Sequence, residues 1–251
     1  MTDKPDTFES IIAEYLSQLA NEFESAKTET YNKPYLKRTK QLLLALLAEQ
    51  VTIVTLLGNN THSLSTTSAP MFLRVILEAA IKVAWLILSP DENTLLLMKS
   101  DLRSFEQTSL EMQSFAEANN EQVQSAIDAA NDWLNSEQAE INFRDGKVKD
   151  LDIRDLAKRA GDETMRIYRT FYVLLSGNLH STWSQVSRYN LIRSANPLHR
   201  AAFVPTIKMP DRDVVFILIA AEIIDHSMKA LTSSEPRAFS WLLGRLTVPK
   251  I

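Results

Sequence analysis

The chain has 251 residues, 45% hydrophobic and 23% charged, with a formal net charge of −4. That length suits one large helical domain or two small ones, and the acidic balance excludes a global basic signature for nucleic acid. Five glycines and 9 prolines are too few for a turn-rich sandwich or barrel, and the absence of cysteine excludes disulfides and thiolate metal sites.

The N-terminal MTDKPDTFES is polar and acidic, without the apolar core of a signal peptide, so a cytoplasmic protein is expected. Apolar residues recur at helical spacing from about Phe8 to Ala26 and from about Lys37 to Leu57, which predicts two helices. Residues 58–70 read as a loop. It ends in Ser68, a natural N-cap, and Pro70, whose missing N–H costs nothing in a first turn. The next helix, MFLRVILEAAIKVAWLIL from Met71, is apolar almost all round. It stops at Ser89-Pro90, because the residue before proline is pushed out of α geometry. Its charges Arg74, Glu78 and Lys82 would each cost about 2.5–3.5 kcal/mol at a bilayer centre. The apolar run at 212–224 is too short to span one. Both read as core helices, and no membrane association is expected.

Residues 92–143 are polar but keep helical residue types, predicting a helical arm or insertion that folds back near Asn119-Asn120. After a turn at 144–150, a short helix from about Ile153 to Arg159 ends at Gly161 as its C-cap. Asp162 then caps a longer helix to about Arg193. Residues 194–211, with three prolines, read as a long loop of the kind often used for function. Asp211 caps a strongly apolar helix to about Leu231, and Pro236 opens a final short one. No strand is expected. The fold class is all-α: a single helical bundle over residues 1–251 with a protruding arm.

Two polar stripes could carry chemistry. Arg74, Glu78 and Lys82 repeat at i,i+4 and share a narrow strip of their helix. Tyr168, Tyr172, Ser176 and His180 repeat likewise. With Tyr168 at zero, the next three lie at about 40°, 80° and 120° and Arg169 at about 100°, so Arg169, Ser176 and His180 share a face. An unpaired buried charge costs several kcal/mol. The two stripes are therefore expected to meet in a polar seam inside the bundle, Glu78 orienting His180 as catalytic carboxylates do. The same residues also read as structure. Glu78 would then bridge two cations along its helix, and the Tyr/Ser/His stripe would be hydrogen-bonded core.

A third pair, Glu222 and His226, has Asp225 beside it. The di-iron bundle pattern needs Glu-x-x-His on two helices, and this spacing misses by one residue, so no metal or other cofactor is expected. Arg188, Arg193, His199, Arg200 and Lys208 are interleaved with Tyr189 and Phe203. Cations beside stacking rings suit single-stranded RNA; the plainer reading is a solvated loop. No glycine-rich phosphate loop, Gly-x-Ser-x-Gly elbow or HExxH motif occurs.

LRVILEAA, carrying Arg74 and Glu78, and YRTFYVLLSGNLH, from Tyr168 to His180, are separated by the arm and the short helix DIRDLAKRAG. Over roughly residues 40–190 this order resembles an uncharacterised bacterial all-α family, itself similar to HEPN domains. Those are helical bundles of prokaryotic toxins and antiviral systems, many of them metal-independent RNases. The resemblance implies a HEPN-like bundle, a homodimer or a helical protein partner, and RNA as substrate. It implies His180 as acid or base and Arg74 or Arg169 as phosphate stabiliser, with Glu78 orienting and Tyr172 and Ser176 beside them. The HEPN signature Arg-x(4–6)-His is not met before His180. Its formal match, Arg193-x5-His199, contains Pro197, which breaks a helix. The alternative is a non-catalytic helical interaction module whose seam specifies packing and whose arm binds a partner.

Overall fold

Helical periodicity becomes helix throughout most of the computed structural model, which describes residues 7–115, 125, 127–129, 131–132, 135, 151–179, 191–195, 203–205, 212–233 and 235–247. Helices α1 (Phe8–Asn32), α2 (Lys37–Asn59), α3 (Ala69–Leu86) and α4 (Pro90–Phe115) come first. Then come α5 (Ile153–Ala160), α6 (Asp162–Ile167), a π-helical turn (Tyr168–Tyr172) and α7 (Val173–Leu179). Helices α8 (Val215–Leu231) and α9 (Ala238–Thr247) close the bundle. The expected reversal at Asn119-Asn120 lies outside the described residues. The arm's first turns are not free-standing, because Leu97 and Leu102 of α4 are buried.

The core centres on α3, which packs against α2, α5, α7 and α8. Its Leu73, Ile76, Leu77, Ala80, Val83 and Leu86 are fully buried, and each large aliphatic stabilises by about 1.5–3 kcal/mol. Among the described helices, α2 alone is long and apolar enough to cross a membrane by length and composition. Here its Leu43, Leu47, Val54 and Leu57 join the core shared with α1, α3 and α8. Ser227 of α8 donates to Gln50 Oε1 of α2 at 2.8 Å, a buried pair that fixes how those helices align.

Caps come from unexpected residues. Ser68 holds the expected N-cap position of α3, but its hydroxyl donates to Ser63 O at 2.9 Å and makes no capping bond, while Ser65 Oγ accepts from Ser68 N at 3.2 Å. Asp162 is the first residue of α6 rather than its cap. Gly161 holds that position at φ 110°, ψ 178°, a conformation essentially reserved to glycine. Asp211 lies outside the described residues, and Asp213 Oδ1 accepts from Val215 N at 3.0 Å. Glu22 of α1 caps α9 from a distance, accepting from Arg237 N at 2.6 Å and Ala238 N at 2.9 Å.

One small sheet corrects the expectation of no strand. Strand β1 (Leu191–Arg193) pairs antiparallel with β2 (Phe203–Pro205), Ile192 opposite Val204. The expected helix to Arg193 and the wholly irregular loop at 194–211 both give way here. Ile, Val and Phe favour strand, and Pro197 between them precludes a continuous helix.

Gly58 of α2 lets α1 approach closely. A Cβ there would stand 2.9 Å from Ile12 Cγ2 and 3.0 Å from Leu16 Cδ1. Gly58→Val is therefore expected to destabilise by about 1–3 kcal/mol through overpacking. An unchanged thermal midpoint would show that the α1–α2 crossing gives way instead.

Candidate functional site

The Arg74 stripe does not run inside the bundle. Met71, Arg74, Val75 and Glu78 form the side of α3 that its neighbours leave uncovered. Met71 and Val75 are exposed, and the Arg74 and Glu78 side chains retain 26% and 35% exposure. Arg74 Nε donates to Glu78 Oε1 at 2.9 Å, and Nη2 donates to the Tyr172 hydroxyl at 2.8 Å. The planar fork of arginine makes both bonds at once. Its guanidinium carbon also lies 4.9 Å from the Tyr172 ring centre. Tyr172 in turn stacks on Tyr168, ring centres 4.6 Å apart at 24°. The Glu78 hydrogen bond holds Arg74 more firmly protonated. Burial foremost, then the neighbouring Tyr172 and Asp152, pushes the Tyr168 phenol upward against Arg154 and Arg74. Lys82 is not the second arm of a Glu78 bridge: among the described residues no ion pair joins them, and its charge bears on Asp101 of α4.

The π turn shapes the other half. A π segment winds wider than an α-helix and such turns recur at functional sites, so residues beyond it rotate out of α register. Arg169, expected beside Ser176, is exposed and lines a cleft on the α5 side. The Ser176 Oγ is enclosed and lacks a hydrogen-bond partner among the described residues. A buried hydroxyl without a partner costs about 1–3 kcal/mol. His180, Arg188, Tyr189, His199, Arg200 and Lys208 lie outside the described residues, and Arg193 is exposed in β1.

The cleft holds about 880 Å³, with Arg154 and Lys158 from α5 and Arg166 and Arg169 from α6 and the π turn among its lining. Sequence reasoning singled out Arg169 alone. The missed signal was two spaced cation pairs, 154/158 and 166/169, on either side of the turning Gly161.

Among the described residues no cluster of three His, Cys, Asp or Glu could hold an ion. Instead His226 Nε2 lies 3.1 Å from the Thr164 hydroxyl and Nδ1 3.9 Å from Glu163. Burial pushes the His226 pKa down, with Arg166 and Lys229 assisting and Glu163 and Asp225 opposing. The unfolded chain therefore takes this proton first as the pH falls. Stability from His226 is complete above its unfolded value, about 6.5, and is lost as the pH drops below that towards the folded value. Asp225, raised chiefly by burial, acts oppositely in a more acidic window. The melting temperature is expected to rise between about pH 5 and 7, and His226→Gln to flatten that rise. An equal slope in the variant would assign it to other groups.

A model of a family of unknown function (DUF5677) matches residues 41–196. No curated protein and no solved structure matches the chain. The matched span holds both sides of the seam, Arg74–Glu78 and Tyr168–Tyr172, and omits α1, α8 and α9. Since it covers more than half of the sequence, the chain belongs to the DUF5677 family of unknown function.

Proposed function

We propose that this protein is a HEPN-like, cytoplasmic, metal-independent ribonuclease or toxin component of a prokaryotic defence system, acting as a homodimer. The observation that carries this reading is Arg74, a guanidinium fixed by two hydrogen bonds yet a quarter open to solvent. A preorganised donor cation of this kind is suited to charge developing on a phosphodiester. Tyr172 accepts from Arg74 and so keeps its own O–H to donate. Ser176, one turn on, holds an enclosed hydroxyl without a partner among the described residues.

In the proposed reaction His180, four residues beyond Ser176 in the chain, takes the proton of a ribose 2′-hydroxyl. The 2′-oxygen attacks the adjacent phosphorus, the P–O5′ bond breaks, and the departing oxygen is protonated by solvent. Arg74 holds the phosphoryl charge and Glu78 holds Arg74. Val173, 71% exposed, and Leu174 follow Tyr172 in the chain, and the exposed Met71 and Val75 flank Arg74 on α3; these apolar side chains would face a second copy.

A second reading, the non-catalytic interaction module, is favoured by the way Arg74, Glu78 and Tyr172 satisfy one another without any ligand. Purified protein incubated with single-stranded RNA in EDTA separates the two. Cleavage leaving 2′,3′-cyclic phosphate ends, lost in His180→Ala, is expected of the ribonuclease. RNA left intact by the parent protein would favour the module.

A further inference from the structure

We propose that the cleft between α5 and the α6–π segment is a groove for the phosphate backbone of a single RNA strand. The identity of the strand rests on the ribonuclease reading; the cation arrangement stands without it.

The arrangement begins in the sequence. Gly161, at φ 110°, turns the chain between α5 and α6, and the two helices wall one cleft. Arg154 and Lys158 stand one turn apart on the first wall, Arg166 and Arg169 one turn apart on the second. All four are exposed, and among the described residues none is in an ion pair. Three carboxylates also line the cleft. That of Asp152 is engaged by the backbone N–H groups of Arg154 and Asp155 at 2.8 and 3.2 Å. Those bonds leave its charge in place, so three carboxylates stand against four cations and the balance of the lining is cationic by one charge.

Cations spread over two walls suit successive phosphates of a chain better than one compact anion, because each neutralised phosphate releases a counterion. A divalent cation is not the occupant, for the described carboxylates form no group able to hold one. Tyr168 precedes two of the residues that line the cleft, Arg169 and Thr170. Arg154 and Arg74 both bear electrostatically on the Tyr168 phenol, and Tyr168 stacks on the Tyr172 that bonds Arg74. Aromatic rings beside cations suit single strands.

The test is fluorescence anisotropy of a labelled 2′-O-methyl RNA oligonucleotide, which lacks the attacking hydroxyl, titrated with the full chain in EDTA. The double variants Arg154→Glu/Lys158→Glu and Arg166→Glu/Arg169→Glu are each expected to bind at least 10-fold more weakly. Their log–log salt dependence should be shallower by about 1.4, two phosphate contacts on a single strand. Circular dichroism melts check folding, and Lys158→Gln/Arg169→Gln replaces any reversal that unfolds, with a smaller loss in the same direction. Equal binding by parent and variants would overturn the groove and leave the ribonuclease reading standing. Cleavage of unmodified RNA without binding of the methylated strand would do the same. No binding by the parent and no cleavage would overturn both.

Discussion

Arg74→Ala is expected to reduce RNA cleavage at least 100-fold, about 2.7 kcal/mol of transition-state stabilisation, while costing no more than about 1 kcal/mol of fold stability. The two magnitudes differ because of where the residue sits. Glu78 keeps 35% of its side-chain exposure, so water replaces the lost guanidinium in the folded protein. An exposed i,i+4 ion pair stabilises only weakly. A phosphoryl group in the site has no such substitute. Arg74→Lys should remain defective, since an ammonium cannot reproduce the fork that reaches Glu78 and Tyr172 together. Tyr172→Phe keeps the ring against Tyr168 and loses one hydrogen bond, so it should cost a comparable amount of stability, about 0.5–1.5 kcal/mol. Measuring both quantities on each purified variant is decisive. If Arg74→Ala leaves cleavage intact, or if its stability loss accounts for all of its activity loss, Arg74 is a packing residue.

Much of this fold was legible because the apolar spacing of α1, α2, α3 and α8 is plain and each is long. The places where reading failed share a cause. Ser68 stands at the N-cap position of α3 but its side chain makes no capping bond, Asp162 sits one residue inside α6, and α9 is capped across 215 residues of chain by Glu22. Tertiary contacts choose between neighbouring capping residues, and composition does not record them. At the site, the i,i+4 rule correctly brought Arg74, Glu78 and Tyr172 together. It misjudged burial, because α3 is covered on most of its surface but leaves one strip open. It also misplaced Arg169 relative to Ser176, since no residue type announces a π turn at Tyr168–Tyr172. The matched family span stops short of α8, yet Ile217, Ala220 and Ile223 of that helix are fully buried in the core that holds α3. The seam therefore depends on packing supplied from outside the span that defines it.

Trp85→Ala tests that dependence and is expected to cost about 3–5 kcal/mol, a large part of the roughly 5–15 kcal/mol that holds a domain together. Trp85 is 2% exposed, on the last turn of α3. Its backbone carbonyl accepts from Asn93 Nδ2 at 2.9 Å, tying the start of α4 to the end of α3. Removing the indole leaves a void too deeply enclosed to collapse fully, and the aliphatic residues around it lose their contacts. Trp85→Phe, which keeps a ring in the space, should recover more than half of the loss. Denaturant midpoints give the difference, and a cost below about 1 kcal/mol would contradict the packing described for α3. The same variant, assayed well below its midpoint, separates packing from chemistry. Arg74 lies three turns nearer the N-terminal end of α3 and is held by Glu78 and Tyr172 rather than by the indole. The folded fraction of Trp85→Ala should therefore cleave RNA at the parent rate. A folded but inactive variant would mean that the end of α3 positions Arg74.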